Sequence, residues 1–202
     1  MHSRTILVSA AALALTLSAT AQTPSWVRRN SISPDGSTIA FSYKGDIYTV
    51  PSSGGQARQL TPNQAFDSNP IWTRDGKNIV FISYRESGKD IYITSENGGV
   101  PARITNLPGN ETPLAVLPDG SILFSWYNGS VESESYGDFP GTAQLYRTDI
   151  HGAAPELVTS LPVKALSINS EGTIIYEDYK GYEDELRKHH TSSVTRDIWK
   201  YV

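Results

Sequence analysis

Five carboxylates, Glu177, Asp178, Glu183, Asp184 and Glu185, precede two adjacent histidines, His189 and His190, within one stretch of the chain. Imidazole and carboxylate are the groups that hold transition metals and exchange protons near neutrality, so metal binding or acid–base catalysis is the chemistry this stretch would offer. The spacing argues against both. Neighbouring side chains on a strand or a helix face different ways, so His189 and His190 do not converge on one ion. No nucleophile can be singled out to partner a triad histidine, and the stretch reads as a solvated or interface loop. The chain also lacks a Gly-x-Ser-x-Gly elbow, a Gly-Lys-Ser/Thr phosphate loop and a His-Glu-x-x-His helix. No residue is therefore assigned a catalytic, cofactor-binding or metal-binding role.

The elements that carry this stretch are more informative than the stretch itself. A cassette recurs four times: a tight turn, an apolar strand, an Asp-Ile-Tyr strand, then a Gly-Gly turn leading to Leu-Thr. The turns are Ser33-Pro34-Asp35-Gly36, Thr73-Arg74-Asp75-Gly76, Leu117-Pro118-Asp119-Gly120 and Asn169-Ser170-Glu171-Gly172, and their glycines are 40, 44 and 52 positions apart. Proline presets φ, aspartate bonds back to the following amides, and glycine accepts the positive φ that other residues resist. Such segments close hairpins. Ile47-Tyr48 and Ile91-Tyr92 put a β-branched residue and an aromatic on opposite faces of a strand, which suits a sheet packed on both sides.

A period near forty with several short strands per unit predicts an all-β partial propeller, three four-stranded antiparallel blades plus most of a fourth. The blades fall at about 26–61, 66–105, 111–159 and 163–202, within a repeat region of 22–202. Strands are expected over 38–43, 46–50, 78–84, 90–94, 121–126, 144–149, 173–177 and 197–201, with the last strand of the fourth blade missing. Two hairpins are enlarged, by Tyr127 to Ala143 and by Asp178 to Arg196. The chain is thus expected to be the first part of a longer protein, with catalytic residues, if any, beyond Val202. An arc of blades with an open edge is expected to be aggregation-prone or homo-oligomeric in isolation.

The first 21 residues read as a cleaved signal peptide: a positive start through Arg4, twelve apolar residues from Ile6 to Leu17, and Ala19-Thr20-Ala21 before Gln22. Twelve residues fall short of the roughly 20 that span a bilayer, so no membrane anchor is expected after cleavage. Export to the periplasm follows, with secretion as the alternative. The chain has no cysteine, so stability must come from burial and strand pairing. A net charge of −4, 19% charged residues and no run of like charge give no nucleic-acid surface.

The cassette resembles the WD40-like repeats of TolB and of Tricorn-type peptidases. Two stretches sharpen the resemblance: Tyr136-Gly137-Asp138-Phe139-Pro140-Gly141-Thr142-Ala143-Gln144-Leu145-Tyr146, and Tyr179-Lys180-Gly181-Tyr182-Glu183-Asp184-Glu185 continuing through Arg187-Lys188-His189-His190 to Asp197-Ile198-Trp199. They are similar to the N-terminal propeller of exported bacterial Tricorn homologues of the S41 serine peptidases. That resemblance implies a substrate-access and assembly module without cofactors. Its partners would be peptide or unfolded protein substrates and the downstream domains of the same chain. The alternatives are a non-enzymatic TolB-like scaffold and the propeller of a prolyl oligopeptidase-like enzyme.

Overall fold

Asp35 closes the first hairpin through its own side chain, whose Oδ1 accepts hydrogen bonds from the Ser33 hydroxyl at 2.5 Å and the Ser37 amide at 3.0 Å. Asp75 does the same with Thr73 and Lys77, and Asp119 with the amide and hydroxyl of Ser121. Donors aimed at a carboxylate favour its charged form, so all three acids titrate below the ordinary range, Asp35 at about 2. Three of the four expected turns are therefore present as local hydrogen-bonded units, and Ser170 and Gly172 of the fourth lie outside the described residues.

The computed structural model describes residues 27–86, 88–127, 143–159, 163–169, 171, 173–178 and 198–201. Its regular elements are all β-strands. The first blade holds β1 (Arg28–Ile32), β2 (Thr38–Tyr43), β3 (Asp46–Pro51) and β4 (Arg58–Gln59). The second holds β5 (Asp67–Trp72), β6 (Asn78–Ser83), β7 (Asp90–Ser95) and β8 (Ala102–Arg103). The third holds β9 (Asn110–Val116), β10 (Ile122–Tyr127), β11 (Gln144–Thr148) and β12 (Glu156–Thr159). The fourth has three strands, β13 (Val163–Ile168), β14 (Ile174–Asp178) and β15 (Ile198–Tyr201). In every sheet, sequential strands pair antiparallel in chain order. The three-and-most-of-a-fourth reading is what the chain adopts, and each expected strand end lies within one residue of the observed one. The leader lies outside the described residues, and among them no helix is long and apolar enough to cross a membrane.

Alternation along each central strand sends side chains to two neighbouring blades. On β6, Ile79 and Phe81 pack with Ala40, Ile47, Leu60, Trp72 and Tyr92 between the first and second blades. Val80, one residue out of phase, packs with Ile91, Val116, Ile122 and Phe124 between the second and third. Leu123 lies between Ile122 and Phe124 in sequence and packs instead with Leu145, Val163 and Ile174 of the third and fourth blades. The period of two thus builds three separate cores from one set of strands. The first strands meet in series, β1 with β5, β5 with β9 and β9 with β13, so they line the common axis.

Phe81 is fully buried, so Phe81→Ala should destabilise the chain by about 3–5 kcal/mol in denaturant unfolding. Ile175, half exposed on β14, should tolerate alanine with a far smaller loss.

Candidate functional site at the hairpin end

The strand connections fall at two ends of the blades. One end carries the Asp35, Asp75 and Asp119 turns. The other carries the Lys44-Gly45 hairpin, at φ 51° and 92°, and the connections entering β5 and β9. Tyr43 faces Asp46 across that hairpin, and Ser83 faces Asp90 across the corresponding one. The two enlarged hairpins join strands that finish on this same end, since Trp126 pairs with Gln144 and Glu177 with Ile198. Most of both segments lies outside the described residues. Of the acidic stretch only Glu177 and Asp178 are placed, at the end of β14, and His189 and His190 fall outside.

Each axial strand breaks register, between Arg28 and Asn30, between Ser68 and Ile71, opposite Leu123 and Phe124, and between Val163 and Ala165. Bulges re-aim side chains and raise local twist. Arg29 and Asn69 take φ of 46° and 57° at two of them. Asn69 then ties three blades together: its amide donates to Ser42 Oγ at 3.2 Å and its Nδ2 to the Pro113 carbonyl at 3.0 Å.

Buried charge concentrates at this end, at the blade junctions. Asp67, fully buried at the start of β5, pairs with Arg85 at 2.7 Å. The guanidinium lies over Phe81 and Tyr92, 5.7 and 5.4 Å from their ring centroids. Close by, Asp46 accepts from Gln59 Nε2 at 2.9 Å, and burial, the largest influence, raises its pKa. At the next junction Arg103 reaches Asp90 and Glu86, each at 2.8 Å, and donates through Nε to the Thr105 carbonyl at 2.8 Å. Glu111 is fully buried beside them, and burial followed by the Asp90 charge pushes its pKa up to about 8. Lys89 donates to Thr112 at 2.7 Å; burial lowers its pKa, Glu111 opposes that, and Arg29 adds to it.

The solvent side of the same end is aromatic and cationic. Phe66 and Tyr84 are 55% and 47% exposed and meet edge to face at 6.0 Å. The Tyr84 amide donates to the Phe66 carbonyl, which fixes the pair to β6. Lys44 lies over the Tyr43 ring at 5.3 Å, and Arg29 is exposed on β1. Rigid aromatic faces beside cations suit an extended polypeptide: apolar side chains stack on the rings and acidic ones meet the cations.

A family model described as the Tricorn protease N-terminal beta propeller domain matches residues 24–202. The chain belongs to that family. The tricorn protease crystal structure superposes with a TM-score of 0.67 at 20% identity, covering 89% of this chain and 17% of that one. The Tricorn protease homolog 1 of Streptomyces coelicolor is 25% identical over 91 residues, 45% of this chain and 8% of the relative. A Tol-Pal system protein TolB from Desulfosudis oleivorans is 38% identical over 114 residues, 54% of this chain and 24% of the relative. The chain spans less than half the length of these curated relatives.

Sequence reasoning reads Asp46 and Asp90 as strand-starting residues of the cassette and assigns nothing to Asp67, Arg85, Arg103 or Glu111. A signal is nonetheless present: an acid stands six places after the threonine that follows each of the first two Gly-Gly turns, Asp67 after Thr61 and Glu111 after Thr105. Those threonines accept the amides of Ile47 and Ile91, both at 2.9 Å, so the acid belongs to the same junction device.

Arg85→Met leaves Asp67 buried without its counter-charge and should cost about 3–5 kcal/mol. Adding Asp67→Asn should recover most of that loss, a coupling that a double-mutant cycle in urea measures.

Proposed function

We propose that this chain is the substrate-access and assembly propeller of an exported, periplasmic Tricorn-like serine peptidase. It meets peptide or unfolded protein at the hairpin end and directs it along the axis toward catalytic domains elsewhere in the same protein. Family membership supports the peptidase context. The observation that carries the reading is the exposed Phe66–Tyr84 pair at the end where the axial strands begin, with Lys44 and Arg29 exposed on the same end. The faces of the second and third blades are occupied by packing, so ligands are left with the ends and the axis. Selection against folded proteins would follow from the width of an axial passage.

Catalysis is not required of this chain. It should bind unstructured peptides and leave them intact, while the whole protein should cleave them with sensitivity to serine-directed inhibitors. A second reading, a TolB-like scaffold that binds folded protein partners, is favoured by the 38% identity to a TolB.

Fluorescence anisotropy with a labelled unstructured peptide separates the two. A double substitution Phe66→Ala, Tyr84→Ala should weaken binding about tenfold or more, ~1.4 kcal/mol, with the unfolding midpoint little changed. Unaltered affinity, or no peptide binding together with no turnover by the whole protein, would favour the scaffold.

A further inference from the structure

We propose that Glu111 and Asp90 form a proton-sharing carboxyl pair that clasps the second blade to the third, so that this junction loosens when the pair loses its proton. Both side chains are fully buried, Asp90 at the start of β7 and Glu111 near the start of β9. The backbone brings them together: the Glu111 amide donates to the carbonyl of Lys89, next to Asp90, at 3.0 Å, and Thr105, which accepts the Ile91 amide on the other side of Asp90, also reaches Glu111. Glu111 Oε1 and Asp90 Oδ1 are buried without a donor among the described residues, and one shared proton supplies what both lack.

The surrounding cations are already committed. Arg103, from β8, divides its guanidinium among Asp90, Glu86 and the Thr105 carbonyl. Lys89, just before β7, donates to Thr112 and is acted on by both the Glu111 carboxyl and the Arg29 charge of β1. On β5, Asp67 is matched by Arg85. β6 and β10 carry no charged residue and β13 carries Lys164. What reaches Glu111 directly is the Thr105 hydroxyl, donating to Oε2 over 3.4 Å. One long hydrogen bond does little to support a second buried charge beside Asp90, and in such an arrangement one of the two carboxyls keeps its proton.

The repeat itself points to pairing. The two equivalent places hold Asp46 and Asp67 at the first junction and Gln144 and Val163 at the third. Where one acid is lost, so is the other. At the first junction Arg85 pairs with Asp67 and the Gln59 amide serves Asp46, whereas at the second Arg103 is divided among Asp90, Glu86 and a carbonyl and Glu111 receives one long hydrogen bond.

Glu111 holds its proton more tightly in the fold than in the unfolded chain. Its contribution to stability is complete below the ordinary glutamate value of 4.5 and is lost as the pH rises through about 8. Thermal unfolding of the 202-residue chain from about pH 6 to about pH 9 tests this. The wild-type melting temperature should fall across that interval, and Glu111→Gln, which copies the protonated acid, should flatten the fall and exceed wild type at the alkaline end. Asp90→Asn should flatten it as well, by removing the like charge. A Glu111→Gln chain that keeps the wild-type slope, or that fails to fold, overturns the proposal, since an amide reproduces a protonated carboxyl in size and polarity. Carboxyl carbon NMR gives a second readout: a Glu111 resonance that titrates near ordinary glutamate overturns it equally.

Discussion

A blade of this protein is stable only when both of its faces are covered by other blades. The second blade shows the consequence most fully. Phe81 and Ile79 face the first blade, Val80 and Ile91 the third, and all four are completely buried. Burying such side chains contributes about 1.5–3 kcal/mol each, most of it across blade boundaries rather than within one sheet. Cooperativity along the arc follows, as in other repeat architectures. So does the position of function, because surfaces consumed by neighbours cannot also bind a ligand.

Polar groups reinforce those boundaries where the strands run out. Trp72 Nε1 donates to the Ser31 carbonyl, Arg74 to the Val116 carbonyl and Asn69 to the Pro113 carbonyl, so each of the first two junctions carries directional bonds as well as apolar contact. Apolar faces alone would allow neighbouring sheets to slide. Fixed donors that cross from blade to blade, Trp72, Arg74 and Asn69, select one register between them, while the Asp67–Arg85 and Asp90–Arg103 pairs tie strands within the second blade at its two faces. Removing one partner of such a buried pair is costly because it strands the other charge. The third junction uses Val163 at the place where the others use an acid, and its core of Leu123, Leu145 and Ile174 holds the fourth blade instead.

The turns and central strands are legible in the sequence because their causes are local. Asp35, Asp75 and Asp119 make their decisive hydrogen bonds within two residues, so the motif and the structure are nearly the same statement. The phase of Ile79, Val80 and Phe81 likewise follows from strand geometry alone. The junction chemistry is not legible in that way. Asp67 and Arg85 are separated by a hairpin, and the bulge at Asn69 is held by Ser42 and Pro113, which lie in two other blades. Phe66 and Tyr84 stand in the sequence as ordinary loop and strand-end residues, and only the fold sets their rings together at the hairpin end. The acidic stretch draws notice for composition, yet the charges that the described structure buries are elsewhere.

Closed blade faces leave the ends and the axis to ligands, and the proposed function places polypeptide at the hairpin end. Site-specific photocrosslinking tests this most directly, with a photoreactive phenylalanine analogue at Tyr84 on that end, or at Val100, which is 96% exposed on the opposite end beyond the Gly98-Gly99 turn. With an unstructured peptide and the whole protein, the account predicts capture from position 84 and none above background from position 100. Equal capture from both positions, or capture from position 100 alone, would contradict it.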